Sequence, residues 1–327
     1  MPGAAGARPS PLTLVFTATT RNAPAAEVYG LHRDGTVTPV THGPGRVVSW
    51  SPDGRELLII HPTSDYGGAE ALEALNVTTG RSRPLWRATT LGDAAWSPDG
   101  RYIAVEWDGK VSILSPHGEI VRSLGEEVPT GAASQGSLAW SADSSLLAVT
   151  YAMPDGTGIA IEQPQGVIPK IMTPCGRERP CNDVMRPDWS PGSNALAMIR
   201  ARGRSSLWWW LGHGPPEPLP IRGLPRGATW VDWAPDGHRL AVATGSGVYV
   251  TDGPGARAVR ITATRPMAGP AWSADGRRIA IVTRSLTGGP YVLDVLDIPA
   301  SGNGPANLES SAVFEQITGP LVWNPAG

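Results

Sequence analysis

The chain has 327 residues, 41% hydrophobic and 17% charged, and its 27 basic and 29 acidic side chains leave a formal net charge of -2. That balance excludes a disordered polyelectrolyte and a globally basic nucleic-acid binder, and 40 glycines with 33 prolines exclude long helices and demand many tight turns. No apolar run approaches the roughly 18 residues of a membrane-spanning helix, and residues 1 to 10 lack the apolar core of a secretory signal.

Residues 1–11 read as a flexible tail, and 12–327 as one domain. Three strand-like runs come first: Leu12 to Ala18, Glu27 to Leu31 and Val37 to Thr41. A phrase then recurs: VVSWSPDGRELLII from Val47, AAWSPDGRYIAVEW from Ala94, LAWSADSSLLAVTY from Leu138 and PDWSPGSNALAMIR from Pro187. It returns as VDWAPDGHRLAVAT from Val231 and PAWSADGRRIAIVT from Pro270, and a truncated LVWNPAG from Leu321 ends the chain. The phrase tryptophans are Trp50, Trp96, Trp140, Trp189, Trp233, Trp272 and Trp323, one per roughly 45 residues. Each phrase is a hairpin in sequence, with an apolar stretch ending at Trp, a turn, and an alternating β-branched stretch that returns. Pro52 fixes φ in the turn, Asp53 can bond the backbone ahead of it, and Gly54 supplies positive φ. Asp53, Asp99, Asp236 and Asp275 are accordingly turn residues rather than metal ligands. The turns SADS (Ser141 to Ser144) and SPGS (Ser190 to Ser193) lack the Asp-Gly pair and are expected to differ in shape.

Two further strand-like runs follow each hairpin, as in Val111 to Leu114 and Gly118 to Ser123, giving the four strands of a propeller blade. The phrases resemble those of the TolB-like, WD40-like (PD40) β-propeller repeat family, whose blades open with W-S-P-D-G. The resemblance covers nearly the whole chain and implies an all-β, seven-bladed propeller of four-stranded antiparallel blades. Its last strand, near Trp323, would pair with the N-terminal strands and remove the open edges. It also implies that the W-S-P-D-G turns share one mouth while the loops after the second and fourth strands share the other.

Three groups of residues in those loops carry chemistry. Arg177, Arg179, Arg186, Arg200, Arg202, Arg204, Arg222 and Arg226 stand against Glu178 and Asp183 around blades 4 and 5, whereas the loops of blades 1 to 3 are acidic. Guanidinium forks suit carboxylates and phosphates, so the leading expectation is a non-catalytic, monomeric binding propeller that recognises a protein, a peptide or an acidic ligand. The alternative is a propeller lyase or hydrolase. His42 and His61 become neighbours if residues of the first hairpin whose numbers sum to about 105 face each other, with Asp65, Tyr66 and Glu70 in the following loop. Cys175 and Cys181 share the loop TPCGRERPC and read as an intraloop disulfide if the protein works outside the cytosol, a place the resemblance also allows. Trp208, Trp209 and Trp210 fall at a third-strand position, where alternation sends Trp209 to one face of a blade and its neighbours to the other. No Walker loop, G-x-G-x-x-G, G-x-S-x-G or paired C-x-x-C motif occurs, and no cofactor or resident metal is expected.

Overall fold

The computed structural model describes residues 11–63, 68–124, 133–153, 156–165, 170–172, 184–200, 205–284, 289–299 and 306–326. They form seven four-stranded antiparallel sheets arranged as a ring, with no helix among the described residues. The sequence expectation of a seven-bladed propeller holds. Blade 1 is counted from the sheet containing Trp50, and blade 7 is the split one. Its inner strand Gln316–Trp323 pairs with Leu12–Thr19, followed outward by Glu27–His32 and Val37–Pro39. Leu14 lies opposite Trp323 and Val15 opposite Val322, and the Asn324 amide reaches the Leu12 and Gly54 carbonyls. The two ends of the chain thus close the ring without a covalent bond.

Each second strand is covered on both faces, which explains its unbroken apolar run. In Glu56–Pro62, Leu58 and Ile60 pack toward blade 2 against Trp96, Ile103 and Val105, while Leu57 and Ile59 pack toward blade 7 against Val15 and Val28. The core is therefore seven interblade layers. Trp208 and Trp210 join the layer between blades 3 and 4, and Trp209 the layer between blades 4 and 5, as alternation requires.

The W-S-P-D-G turn is held by one hydroxyl and one carboxylate. Ser51 Oγ donates to Asp53 Oδ1 at 2.6 Å and accepts from Glu56 N at 2.8 Å, while Asp53 Oδ1 also accepts from Arg55 N. The Ser51 hydroxyl, more than any other group, holds the Asp53 carboxyl below its ordinary pKa. Gly54 sits at φ 67°. The Asp-Gly pair is missing at Ser141 to Ser144, and the expected change of shape there does not occur. Ser141 and Asp143 repeat the same bonds, and Ser144 takes the left-handed conformation at φ 60°, a strain of order 1 kcal/mol that the surrounding bonds absorb. Ser144 Oγ also accepts from Asp99 N in blade 2, so the serine links two blades.

Candidate active site in the central channel

The residue preceding each phrase tryptophan decides how neighbouring blades are joined. Where it is Ala or Val, the next blade's indole donates to its carbonyl. These bonds run from Trp140 Nε1 to Ala95 O at 3.1 Å, Trp189 Nε1 to Ala139 O at 2.9 Å, Trp323 Nε1 to Ala271 O at 2.8 Å and Trp50 Nε1 to Val322 O at 3.0 Å. Where it is polar, its side chain takes the next tryptophan's backbone N–H instead. Trp233 N donates to Asp188 Oδ2 and Trp272 N to Asp232 Oδ2, both at 2.7 Å, and Trp96 N makes a long 3.5 Å contact with Ser49 Oγ. The indole nitrogens of Trp96, Trp233 and Trp272 are then buried without an acceptor.

This places two carboxylates, from the inner strands Val184–Trp189 and Ala228–Trp233 of adjacent blades, in the wall of the central channel. The channel encloses about 710 Å³ and is bounded by all seven inner strands or the segments leading into them. Burial pushes the Asp188 carboxyl up to about 7, and burial together with the Asp188 charge holds Asp232 well above the carboxylate range. The two ionisations are linked, because a charge on Asp188 opposes one on Asp232.

Asp93, on the inner strand Leu91–Trp96 of blade 2, is a third channel carboxyl. It accepts from Leu138 N at 3.2 Å and Ala94 N at 2.9 Å, and burial raises it to about 6. Glu106 accepts from Asp93 N at 3.3 Å, with its carboxylate packed against Gly92, where a Cβ would make the Glu106 side chain move. Arg46 lies near enough to draw the Asp93 pKa down, and donates to the Leu91 carbonyl. Tyr151, 2% exposed, has a hydroxyl without a hydrogen-bond partner among the described residues, and burial, then the Glu162 and Glu106 charges, raise its pKa. No group of three or more His, Cys, Asp or Glu side chains among the described residues is arranged to hold a metal ion.

Of the channel carboxyls, Asp93 is one of the acids expected in the loops of blades 1 to 3, whereas Asp188 and Asp232 are not among the expected site residues although the sequence carries a signal for them. In PDW and VDW an acid stands directly before the tryptophan, where the other phrases carry Ser, Ala or Val.

The other residues that were singled out lie elsewhere. The first hairpin pairs Arg46 with Ile60 and Val47 with Ile59, one residue beyond the expected register, so that Gly45 lies against His61. His61 meets Glu73 at 3.2 Å (Nε2 to Oε1) in a groove of about 360 Å³ between blades 7 and 1, which Gly43 and Pro44 also line. His42 is exposed and outside that lining. Asp65 and Tyr66 lie outside the described residues, as do Arg177, Arg179, Arg202, Arg204, Cys175, Cys181 and the side chain of Arg186. The Arg200 guanidinium stacks 5.0 Å from the Trp208 ring. Arg222, exposed, is bonded through its backbone to Ala256 and Ala258 on the W-S-P-D-G side of the ring. Arg226, exposed on the opposite mouth, precedes Gly227, whose N–H donates to the Ser205 carbonyl. The structure therefore separates Arg222 from Arg226.

No helix among the described residues is long and apolar enough to cross a membrane. No family model and no curated protein matches the chain. Solved structures do. A TolB from Acinetobacter baumannii is 17% identical with a TM-score of 0.58, over 96% of this chain and 66% of its own. A putative 6-phosphogluconolactonase from Bacteroides uniformis is 15% identical with a TM-score of 0.60, covering 94% and 98%. The periplasmic gluconolactonase PpgL of Pseudomonas aeruginosa is 16% identical with a TM-score of 0.59, covering 96% and 99%. Two propellers matched over almost their whole length thus carry the names of gluconolactonases, and this overturns the leading expectation of a non-catalytic binding module. What the comparisons establish for this chain is its architecture: a seven-bladed β-propeller whose structural neighbours include TolB proteins, in keeping with its TolB-like repeats.

Proposed function

We propose that the protein is a hydrolase that opens a small cyclic ester in its central channel, with Asp188 and Asp232 as the acid and base. The pair itself carries this reading. Four of the seven blade joints show that the ring closes with Ala or Val before the tryptophan, so the fold does not require carboxyls at the other joints. Two of the remaining three have them, on adjacent blades and facing one cavity. The hydrolase names among the structural neighbours support the same class. The word periplasmic in one of them is compatible with work outside the cytosol.

Asp188, raised by burial, serves as the base once ionised, and Asp232, raised by burial and further by the Asp188 charge, keeps its proton and is the acid. Water attacks the ester carbonyl as Asp188 takes its proton. The bond between the acyl carbon and the ring oxygen then breaks as Asp232 gives its proton to that oxygen. The proton gained by Asp188 passes to Asp232 to restore the pair.

The test is hydrolysis of δ-gluconolactone, with spontaneous opening subtracted. Asp188→Asn and Asp232→Asn should each lower kcat about 100-fold or more, the usual weight of general acid–base catalysis, with folding intact. Wild-type activity should rise through about pH 7 as Asp188 ionises. Enzymatic rates unchanged in both variants would overturn the assignment.

A further inference from the structure

A second cavity, of about 330 Å³, opens on the variable mouth above blade 5, and Trp230 and Met267 line both it and the channel. We infer that this cavity is the subsite for an anionic substituent, phosphoryl or carboxylate, on a sugar-like substrate whose ester lies in the channel. The inference rests on the hydrolase reading for the reaction but not for the binding it predicts.

Charge comes first. Among the described residues that line the cavity Arg265 is the single charged one, and it is exposed with no ion pair to another described residue. A guanidinium without a carboxylate partner retains its donors for a bidentate oxyanion contact. Ser205 adds a hydroxyl to the lining, while the Thr229 hydroxyl there donates to the Ala243 carbonyl. Arg226, next to the Gly227 whose N–H is bonded to Ser205, adds a second positive charge near the rim. The cavity therefore favours a small anion bearing oxygen acceptors.

Shape comes second. Trp230 forms the wall between the two cavities, and its indole lies against Gly269, where a Cβ would fall 2.5 Å from Trp230 Cδ1. Only glycine admits the ring at that place. An aromatic face offers the C–H side of a sugar ring a flat apolar platform. Trp230 stands two residues from Asp232 on the same strand and points the same way, about 7 Å along it. One pyranose-sized molecule can therefore span from the acid–base pair to the platform, with its substituent reaching Arg265. The Arg-rich character of this part of the sequence, which the acid–base chemistry leaves unused, acquires a role at Arg265 and Arg226.

Calorimetry on the full chain with glucose, glucose 6-phosphate and glucuronate tests this without any turnover. At least one of the anionic sugars should bind at least tenfold tighter than glucose, and the tighter of the two identifies the substituent. Arg265→Gln should erase that preference, Trp230→Ala should weaken all three sugars at least fivefold, and Trp230→Phe should retain most of the binding. Equal affinity for the three sugars overturns the inference, as does a preference that survives Arg265→Gln. An Arg265-dependent preference in a protein that opens no lactone supports the subsite and overturns the hydrolase reading alone, whereas lactone opening dependent on Asp188 without any preference overturns the subsite alone.

Discussion

The joint between blades 3 and 4 and the joint between blades 4 and 5 use equivalent inner strands and equivalent tryptophans in two ways. At the first, Ala139 offers only a carbonyl, and Trp189 Nε1 binds it. At the second, Asp188 offers a carboxylate that captures the backbone N–H of Trp233, and the Trp233 indole nitrogen is left buried without an acceptor. An unmade hydrogen bond on a buried donor costs about 1–3 kcal/mol, and an acid held protonated above its solution pKa costs more as pH rises. The second joint is thus the less stable solution, and it occurs where carboxyls reach the channel. Stability yields to chemistry at Asp188 and Asp232, and the alanine joints show what the ring does when no chemistry is asked of it.

The largest test removes a joint altogether. Deleting residues 316 to 327 takes away the Val322 carbonyl that holds Trp50 and the indole that holds Ala271, and leaves Leu12–Thr19 without its inner partner. Loss of the cooperative thermal transition is expected, and a variant that melts within a few degrees of wild type would refute non-covalent closure.

A smaller test converts one joint into the other. Ala139→Asp should lower stability by about 1–3 kcal/mol in denaturant titrations, because the Trp189 indole loses its acceptor geometry and a carboxyl enters the wall. The opposite exchange, Ser49→Ala, should change stability by no more than about 0.5 kcal/mol, since only a 3.5 Å contact is lost and the Trp96 indole gains a carbonyl. Equal costs for the two would mean that the residue before the tryptophan does not set the joint.

The smallest effect is a slope. The unfolded chain loses the Asp93 proton near pH 3.9, whereas the folded protein keeps it to about pH 6. Between those values the folded state binds more protons, so this contribution is complete below pH 3.9 and is lost as pH rises through 6. Asp188 extends the same decline to about 7. The turn carboxyls Asp53 and Asp143, held low mainly by the Ser51 and Ser141 hydroxyls, act with the opposite sign, and only at more acid pH. Melting temperature should fall by a few degrees between pH 4 and 7 in the wild type, and less in Asp93→Asn. Parallel curves for the two proteins would show that Asp93 titrates normally.

Repetition and alternation made the scaffold legible. Seven tryptophans at regular spacing, three strand-like runs before the first phrase and a lone strand ending at the last tryptophan specified blade number and closure, because each blade is a local hairpin pattern and period 2 assigns the faces. The first-hairpin register was missed by one residue, and with it the pairing of His42 and His61. The chain places His61 against Glu73, a residue of the third strand that hairpin arithmetic does not reach. The SADS turn kept its shape because Ser141 and Asp143 make the bonds that define it, whether or not glycine follows.

Sequence alone determined that the chain would be a ring of seven β-sheets, since the hydrophobic period, the turn residues and the recurrent tryptophan act within each repeat of about 45 residues. Only the tertiary structure decided where the acids meet. Asp188 and Asp232 are 44 positions apart, each within an ordinary inner strand. Ring closure brings them to one cavity, and exclusion of water raises their pKa values together. Burial and the field of a neighbouring charge belong to the assembled ring and to no segment of the chain.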